Sequence, residues 1–255
     1  MTIFDVNLSF GHWPFQALGT ETPSRLAALM ARAGISAGLV SSIDAVLLPA
    51  PDDENQRLFS LLTKHPHLIP VPVINPLLPQ WPDTIGRYAA HTPAVKLYPN
   101  YHGYRLGDPC VAELMRQLGR RRLALVLPLR IEDERSHHPL MKVPAVPADD
   151  VLALARAFPK VPIVCCCPYA REAARLVRGP ANLHVDISMV DGMDPVQALV
   201  RAGSSRRVLF GSHTPFLYAM AAVMKVTESD LSRTDQRRVL QDNAARMLST
   251  GGRGR

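Results

Sequence analysis

The sequence predicts a closed α/β fold, a (β/α)8 barrel of the TIM type, in which eight parallel strands alternate with helices. Apolar runs alternate with amphipathic segments along the 255 residues, and eight runs begin near Ile3, Ile35, Leu68, Ala94, Leu123, Val161, Leu183 and Arg207. Strands that alternate with helices pair in parallel through right-handed crossovers. Eight units favour a barrel over an open doubly wound sheet, and no glycine-rich phosphate loop follows the first strand.

The helices are predicted from apolar spacing and from their start signals. Apolar residues at i, i+3, i+4 and i+7 indicate two helices, at Leu26, Leu29, Met30 and Ala33 and at Val111, Leu114, Met115 and Leu118. Each begins with a capping residue followed by proline, at Thr22-Pro23 and Asp108-Pro109. A final helix is expected to open at Ser232 and to run through "NAARML". We therefore expect one domain over residues 1–248 and a flexible basic tail over residues 249–255.

Composition excludes several classes of protein. The hydrophobic fraction of 47% and the charged fraction of 20% are ordinary for a globular enzyme. The sequence has no 18-residue apolar run and no basic leader, so we expect no membrane span and no secretory signal. Three adjacent cysteines at 165–167 favour a reducing, cytoplasmic setting. The net charge of +7 is scattered rather than gathered in a stripe, which favours a small anionic substrate over nucleic acid. The sequence leaves a homo-oligomer open.

Two long connections are expected to surround the site. Residues 11–21 and 131–147 follow the first and fifth predicted strands, and loops of this length are usually functional or disordered. Both lie at the carboxyl ends of strands, where barrel active sites are built. His12 in the first loop, and His137 and His138 in the second, are candidate substrate contacts. A loop that is merely packed or solvated is the alternative for each.

Alternation of side chains along each strand predicts a polar lumen. On five of the predicted strands one face carries polar groups, and the residues that share these faces are Asp5, Asn7 and Ser9, Lys96 and Tyr98, Pro128 and Arg130, Cys165 and Cys167, and His184, Asp186 and Ser188. His213 follows the eighth strand in the stretch "LFGSHTP". Because polar groups in a lumen lose their hydration, each is expected to be hydrogen-bonded or functional.

These residues suggest roles in catalysis and binding. His213 is a candidate general acid or base, and Asp186 could orient its imidazole or brace a loop. Lys96 and Arg130 are expected to hold a substrate carboxylate, with an internal ion pair as the alternative. Tyr98 is a candidate pocket wall. Cys167 is expected to be a small buried side chain rather than a nucleophile.

Five segments in order resemble the amidohydrolase superfamily, in particular its amidohydrolase-related branch. The segments are "FDVNLSFG", "AVKLYPNYHGYRLGDP", "HVDIS", "LFGSHTP" and "NAARML". The branch includes metal-dependent decarboxylases of aromatic and amino-muconate acids and lactonases that act on dicarboxylates. The resemblance implies a barrel of the metal-dependent hydrolase type and an enzymatic activity.

The resemblance breaks at the metal ligands. The family's first strand has the pattern Asp-x-His-x-His-x-Gly, where this chain has Asn7 and Ser9 in place of the two histidines. The histidines of strands five and six align with Pro128 and Cys167, and the aspartate of strand eight aligns with His213. We therefore expect an enzyme without a cofactor. The alternative is zinc held by Cys167, His213 and a third ligand from the His137-His138 loop.

Together these observations predict a hydrolase of a lactone or amide, or a decarboxylase, that acts on a small carboxylated substrate. Asn7 and Ser9 would then supply hydrogen bonds at the position of the lost metal. A catalytically inactive barrel that serves as a binding subunit is the alternative from another class, although the retained polar lumen argues against it.

Overall fold

The computed structural model describes residues 2–137 and 142–251, with side chains described as far as residue 249. Eight parallel strands follow one another around a barrel: β1 Phe4–Phe10, β2 Ala37–Ser42, β3 Leu68–Pro70, β4 Ala94–Lys96, β5 Ala124–Pro128, β6 Ile163–Cys166, β7 Leu183–Asp186 and β8 Val208–Leu209. This architecture confirms the predicted (β/α)8 barrel.

The strands form two hydrogen-bonded groups, β1-β2-β3 and β4 to β8, that backbone contacts join into one ring. On one side, Lys96 N donates to Pro72 O (2.9 Å) and Ile74 N donates to Lys96 O (3.0 Å). On the other side, Val6 N donates to Phe210 O at 3.0 Å, just beyond β8. These contacts close the barrel and bring β1 beside the segment that carries His213.

Eleven helices are described: α1 Pro23–Arg32, α2 Asp52–Leu62, α3 Trp81–Tyr88, α4 Pro99–His102, α5 Pro109–Arg121, α6 Ala148–Ala157, α7 Ala170–Leu176, α8 Pro195–Ala202, α9 Ala219–Thr227, α10 Arg233–Arg237 and α11 Asn243–Gly251. Within the ranges 2–137 and 142–251, none is long and apolar enough to cross a membrane.

The helix starts follow the sequence signals, with two differences: Asp108 precedes α5 but its side chain accepts from Arg105 N instead of capping the helix, and the final helix is divided. The Thr22 hydroxyl accepts from Arg25 N and caps α1, and α5 begins at Pro109. Ser232 caps α10 as expected, but a π-helical turn over Arg238–Asp242 divides the predicted final helix in two. The second part, α11, continues to Gly251, past the predicted domain limit at residue 248.

Two apolar layers hold the barrel together. The larger layer lies between the strands and the helices, and on β7 it includes Leu183, Val185 and Ile187. The smaller fills the lower lumen with side chains such as Val71, Val126 and Leu209. Because β7 alternates as predicted, Asp186 is directed to the lumen, above this apolar floor.

The predicted alternation fails on two strands, at the residues that matter most for the site. In β1 the pairing register with β2 shifts between Asp5 and Leu8, so Val6 packs in the lumen although Asn7 also reaches it. In β6 it is Cys166 and Cys167 that share the lumen, while Cys165 packs outward against the helices. A bulge explains β1, and the left-handed backbone of Cys167 (φ 57°) ends the alternation of β6.

Candidate active site

Lys96 places a buried positive charge near the carboxyl end of the barrel. It ends β4, its side chain is 3% exposed, and Nζ donates to Asn7 Oδ1 (3.2 Å) and Ser41 Oγ (3.0 Å). The ring of Tyr98 lies 5.6 Å from Nζ. No described carboxylate lies within ion-pair distance, so the nearest partners of this ammonium are neutral.

The Asn7 amide joins the polar groups of the lumen. Its oxygen accepts from Lys96, and its Nδ2 lies 3.0 Å from Asp186 Oδ2, 3.3 Å from Cys167 Sγ and 3.4 Å from His213 Nδ1. An amide nitrogen has two hydrogens to donate, so these three acceptors compete for two donors. Asn7 thus links four candidate residues from four different strands or strand ends.

Asp186 is held by hydrogen bonds from three residues of the lumen. Its carboxylate accepts from Cys167 N at 2.9 Å, from Ser188 Oγ at 3.0 Å and from Asn7. Burial nevertheless raises the pKa of the Asp186 carboxyl to about 6, because desolvation outweighs the opposing hydrogen bonds. A small change of surroundings therefore moves this group between its acid and base forms near neutral pH.

His213 is held by a backbone carbonyl rather than by Asp186. Its Nε2 lies 2.6 Å from Ile131 O, and since a carbonyl can only accept, Nε2 carries the hydrogen. In the neutral ring Nδ1 is then the free acceptor, facing Asn7. Burial lowers the pKa of His213 to about 4, so the imidazole is neutral at pH 7. Among the described contacts, Asn7 Nδ2 lies between Asp186 and His213 Nδ1, so a role of Asp186 in orienting the ring would act through Asn7 and stays a prediction.

Arg130 is paired with groups inside the protein. Its guanidinium, 2% exposed, forms two 2.7 Å hydrogen bonds to Glu172, a 2.7 Å bond to Cys167 O and a stack at 3.9 Å on Tyr169. The structure thus shows the internal ion pair that was the alternative for Arg130, although with a different acid, and substrate binding by Arg130 stays a prediction. A buried guanidinium requires a counter-ion. Glu172 from α7 supplies it, and Glu134 Oε1 lies 3.4 Å from Arg130 Nε as a second carboxylate.

Aromatic side chains cover the polar network. The Phe216 ring stacks on His213 at 4.8 Å and 10°, and Trp13 meets Phe216 edge-on at 5.5 Å. Trp13 also donates from Nε1 to Glu132 Oε1 at 3.1 Å, which joins the two long loops. Lys96, Asp186 and His213 are all at most 3% exposed beneath this cover.

The remaining predicted contacts lie at different distances from the network. Ser9 is buried on β1, and its backbone N donates to Thr214 O at 3.0 Å. His12 is exposed on the first long loop, and His137 is half-buried at the end of a short 3-10 helix. These histidines are not brought to Asn7, and His138 lies outside the described residues.

Three contributors were missed by the sequence reasoning. Ser41 on β2 binds Lys96, and alternation along β2 is the signal that could have found it. Glu172 accepts from the backbone N of Tyr169 at 2.7 Å and also pairs with Arg130. An acid in the first turn of a helix is typical of a cap, so its sequence position did not indicate the ion pair. Gly211 leaves room for Asp186: a Cβ there would lie 2.6 Å from Asp186 Oδ2.

Comparison with known proteins decides the family. The profile of the Amidohydrolase family matches residues 14–250, nearly the whole chain. The chain belongs to the Amidohydrolase family. The predictions of the superfamily and of an enzyme are thereby confirmed, whereas the replacement of individual metal ligands stays a prediction. No curated protein matches the chain.

Solved structures show the same fold in other amidohydrolases. A 5-carboxyvanillate decarboxylase from Sphingomonas paucimobilis has 14% identity over 97% of this chain and 98% of that chain, with a TM-score of 0.73. A 2,6-dihydroxybenzoate decarboxylase from Rhizobium has 12% identity over 98% and 99%, with a TM-score of 0.71. At these identities the likeness establishes the fold, and the reaction has to be argued from the site.

The prediction of an enzyme without a cofactor is contradicted. A 5-carboxyvanillate decarboxylase from Novosphingobium aromaticivorans was crystallised with manganese and 4-hydroxy-3-methoxy-5-nitrobenzoic acid; it has 14% identity over 97% of this chain and 95% of that chain, with a TM-score of 0.74. A metal ion therefore accompanies this fold in a similar structure. The prediction failed because it inferred the absence of a cofactor only from missing histidines at positions assumed to be equivalent.

The donors that surround Asn7 do not form a metal site as they are placed here. Within residues 2–137 and 142–251, no group of three or more His, Cys, Asp or Glu side chains could hold an ion together. Burial raises the pKa of the Cys167 thiol to about 12, and His213 Nε2 is turned to a carbonyl. Cys167 and His213 are therefore not arranged as zinc ligands here, and the third ligand of the zinc alternative falls on a loop whose His138 lies outside the described residues.

Proposed function

We propose that this amidohydrolase decarboxylates a small carboxylated compound, with carboxylated aromatic compounds as the first class to test. The observation that carries the proposal is the buried ammonium of Lys96, whose hydrogen-bond partners Asn7 and Ser41 are both neutral. The decarboxylases of similar fold are named for substrates of this class.

A substrate carboxylate is the natural partner for Lys96. Removing an ammonium from water without a counter-ion costs several kcal/mol, and an incoming anion restores part of that loss. Asn7 and Ser41 hold Nζ at the upper lumen, where it can meet a ligand that enters from the strand ends. The face of Tyr98 lies beside the same charge and suits an aromatic ring.

The proton required by decarboxylation can come from Asp186. Loss of carbon dioxide leaves the bonding electron pair on the substrate carbon, and that carbon must gain one proton. A carboxyl group with a pKa of about 6 is partly protonated near neutral pH and can donate it, after which solvent reprotonates the carboxylate. Asn7 donates from Nδ2 to Asp186 and accepts at Oδ1 from Lys96. The proton donor Asp186 and the carboxylate-binding Lys96 therefore lie on either side of the same amide group.

Hydrolysis of a lactone or amide is the second candidate, favoured by the state of His213. Because Nε2 donates to Ile131 O, Nδ1 is the unprotonated nitrogen required of a general base that activates water, and the low pKa of about 4 makes it a weak base until substrate changes its surroundings. In either reaction the substrate must displace the cover formed by Trp13 and Phe216, because the network beneath is buried.

A substrate screen with two lysine variants tests the proposal. Carboxylated aromatics and lactones are assayed with and without added manganese, by release of carbon dioxide or of acid. Lys96→Met is expected to lower kcat/KM by about 100-fold, the scale of one electrostatic contact in a transition state. Lys160→Met, which removes an exposed lysine far from the network, should leave turnover unchanged. Full activity in a folded Lys96→Met protein would contradict the proposal.

A further inference from the structure

A cavity of about 500 Å³ lies outside the barrel, between α1 and the segment that leads from His213 into α9. Leu18 and Leu29 form one wall, and Phe216, Leu217 and Met220 form the other. Its volume falls within the range of small-molecule sites, about 300–1,000 Å³. Leu217 and Met220 are exposed here, which leaves apolar surface open to a ligand.

Arg32 is the one charged side chain among the described residues that line the cavity. It lies in the last turn of α1, is exposed, and makes no ion pair or hydrogen bond with another described residue. Arg25 on the same helix, by contrast, is paired with Glu21. A free guanidinium beside an apolar wall complements a carboxylate attached to an apolar body, because the planar fork binds both carboxylate oxygens.

The cavity also touches the candidate active site through one ring. Phe216 lines the cavity, and its face stacks on His213 at 4.8 Å. The same ring meets Trp13 edge-on at 5.5 Å. A ligand that packs against Phe216 therefore contacts the cover of the polar network without entering the lumen.

We propose that this cavity is a second small-molecule site, which binds a hydrophobic monocarboxylate with its apolar body against Phe216 and Met220 and its carboxylate on Arg32. The site is distinct from the Lys96 network and does not depend on the reaction proposed above. Its occupancy restrains Phe216 and, through that contact, the position of the His213 ring.

Equilibrium binding with matched probes tests this site. Octanoate is titrated calorimetrically into the wild-type protein, with 1-octanol as the uncharged probe. One saturable octanoate site is expected, and Arg32→Gln should weaken octanoate about tenfold, the loss expected for one charge-assisted contact, while octanol binding stays unchanged. Arg120→Gln is the control, since Arg120 is likewise exposed in the last turn of a long helix, α5.

A second variant and an optical signal locate the ligand. Ala17→Trp places a large side chain at an exposed position of the cavity wall and should abolish binding of both probes. Trp13 fluorescence, followed in a Trp81→Phe background, should change on saturation because Trp13 touches Phe216. Three results would each overturn the proposal. The first is an equal effect of Arg32→Gln and Arg120→Gln on octanoate binding. The others are loss of binding in Lys96→Met but not in Ala17→Trp, and a dimer that covers the cavity.

Discussion

His184 should make the folded protein lose stability in mild acid. The side chain points into the lower lumen from β7 and is 9% exposed, with Nδ1 lacking a hydrogen-bond partner. Burial lowers the pKa of His184 from 6.5 to about 4, and the positive charges of Arg207 and Arg246 add to the effect. The ring is therefore neutral in the folded protein over a range in which the unfolded chain binds a proton.

The magnitude follows from the two pKa values. The contribution of His184 is fully present above pH 6.5 and is lost as pH falls toward 4, because the unfolded state gains the proton first. The full difference is worth about 3 kcal/mol, at about 1.4 kcal/mol per pKa unit. At pH 5 the loss amounts to about 2 kcal/mol of unfolding free energy.

Urea unfolding of two variants at pH 7.5 and pH 5 isolates this contribution. His184→Leu should lose about 2 kcal/mol less than wild type between the two pH values, whatever its absolute stability. The buried groups Asp5, Asp186 and His213 titrate in both proteins, so their effects cancel in the comparison. His91→Gln, a change at an exposed histidine, should behave as wild type. An identical drop in wild type and His184→Leu would refute the reasoning.

Two further variants test the packing around the site. Gly211→Ala should lower the unfolding free energy by about 1–3 kcal/mol, because the new Cβ would lie 2.6 Å from Asp186 Oδ2 in a fully buried position. Glu172→Gln should lower the unfolding free energy, measured by chemical denaturation, by about 2 kcal/mol, because it leaves the buried Arg130 without its bidentate counter-ion. The partial exposure of Glu172 keeps this loss below that of a fully buried pair.

Each of these variants has a matched control. Gly107→Ala meets no atom within 4 Å and should change stability only slightly. Glu113→Gln removes an exposed ion pair with Arg116, and such pairs contribute about 0–1 kcal/mol. A Gly211→Ala protein as stable as Gly107→Ala would show that Asp186 can move aside. Equal losses in the two glutamate variants would show that Glu134, which lies 3.4 Å from Arg130 Nε, is a sufficient counter-ion.

The barrel and the polar upper lumen were predictable because both depend on patterns within single segments. Alternation of strands and helices reports the architecture, and period-two alternation placed Lys96 and Asp186 on the lumen face. His213 was recognised as a residue at a strand end, and the fold brings its ring to the same amide as Asp186. These predictions needed no knowledge of which distant residues would meet.

The pairing of individual groups was not predictable, because it depends on distances between segments far apart in the chain. Arg130 meets Glu172 across 42 residues, and nothing in the sequence ranks Glu172 above the acids nearer to Arg130. His213 takes its tautomer from Ile131 O, a backbone group that carries no sequence signal. The prediction of an enzyme without a cofactor was wrong for a related reason, because an aligned position does not reveal which donors lie close together in space.

The bulge in β1 shifts the phase of the strand halfway along its length. Before it, Val6 helps to form the hydrophobic floor of the barrel, and after it Leu8 and Phe10 pack outward while Asn7 faces the lumen. A strand of strict period two would have turned Leu8 and Phe10 inward and directed Asn7 to the helices. Because of one inserted residue, the same short strand contributes both Val6 to the apolar lower lumen and the Asn7 amide to the polar network above it. Without this shift of phase, the same residues would line the mouth of the barrel with apolar side chains in place of the central amide.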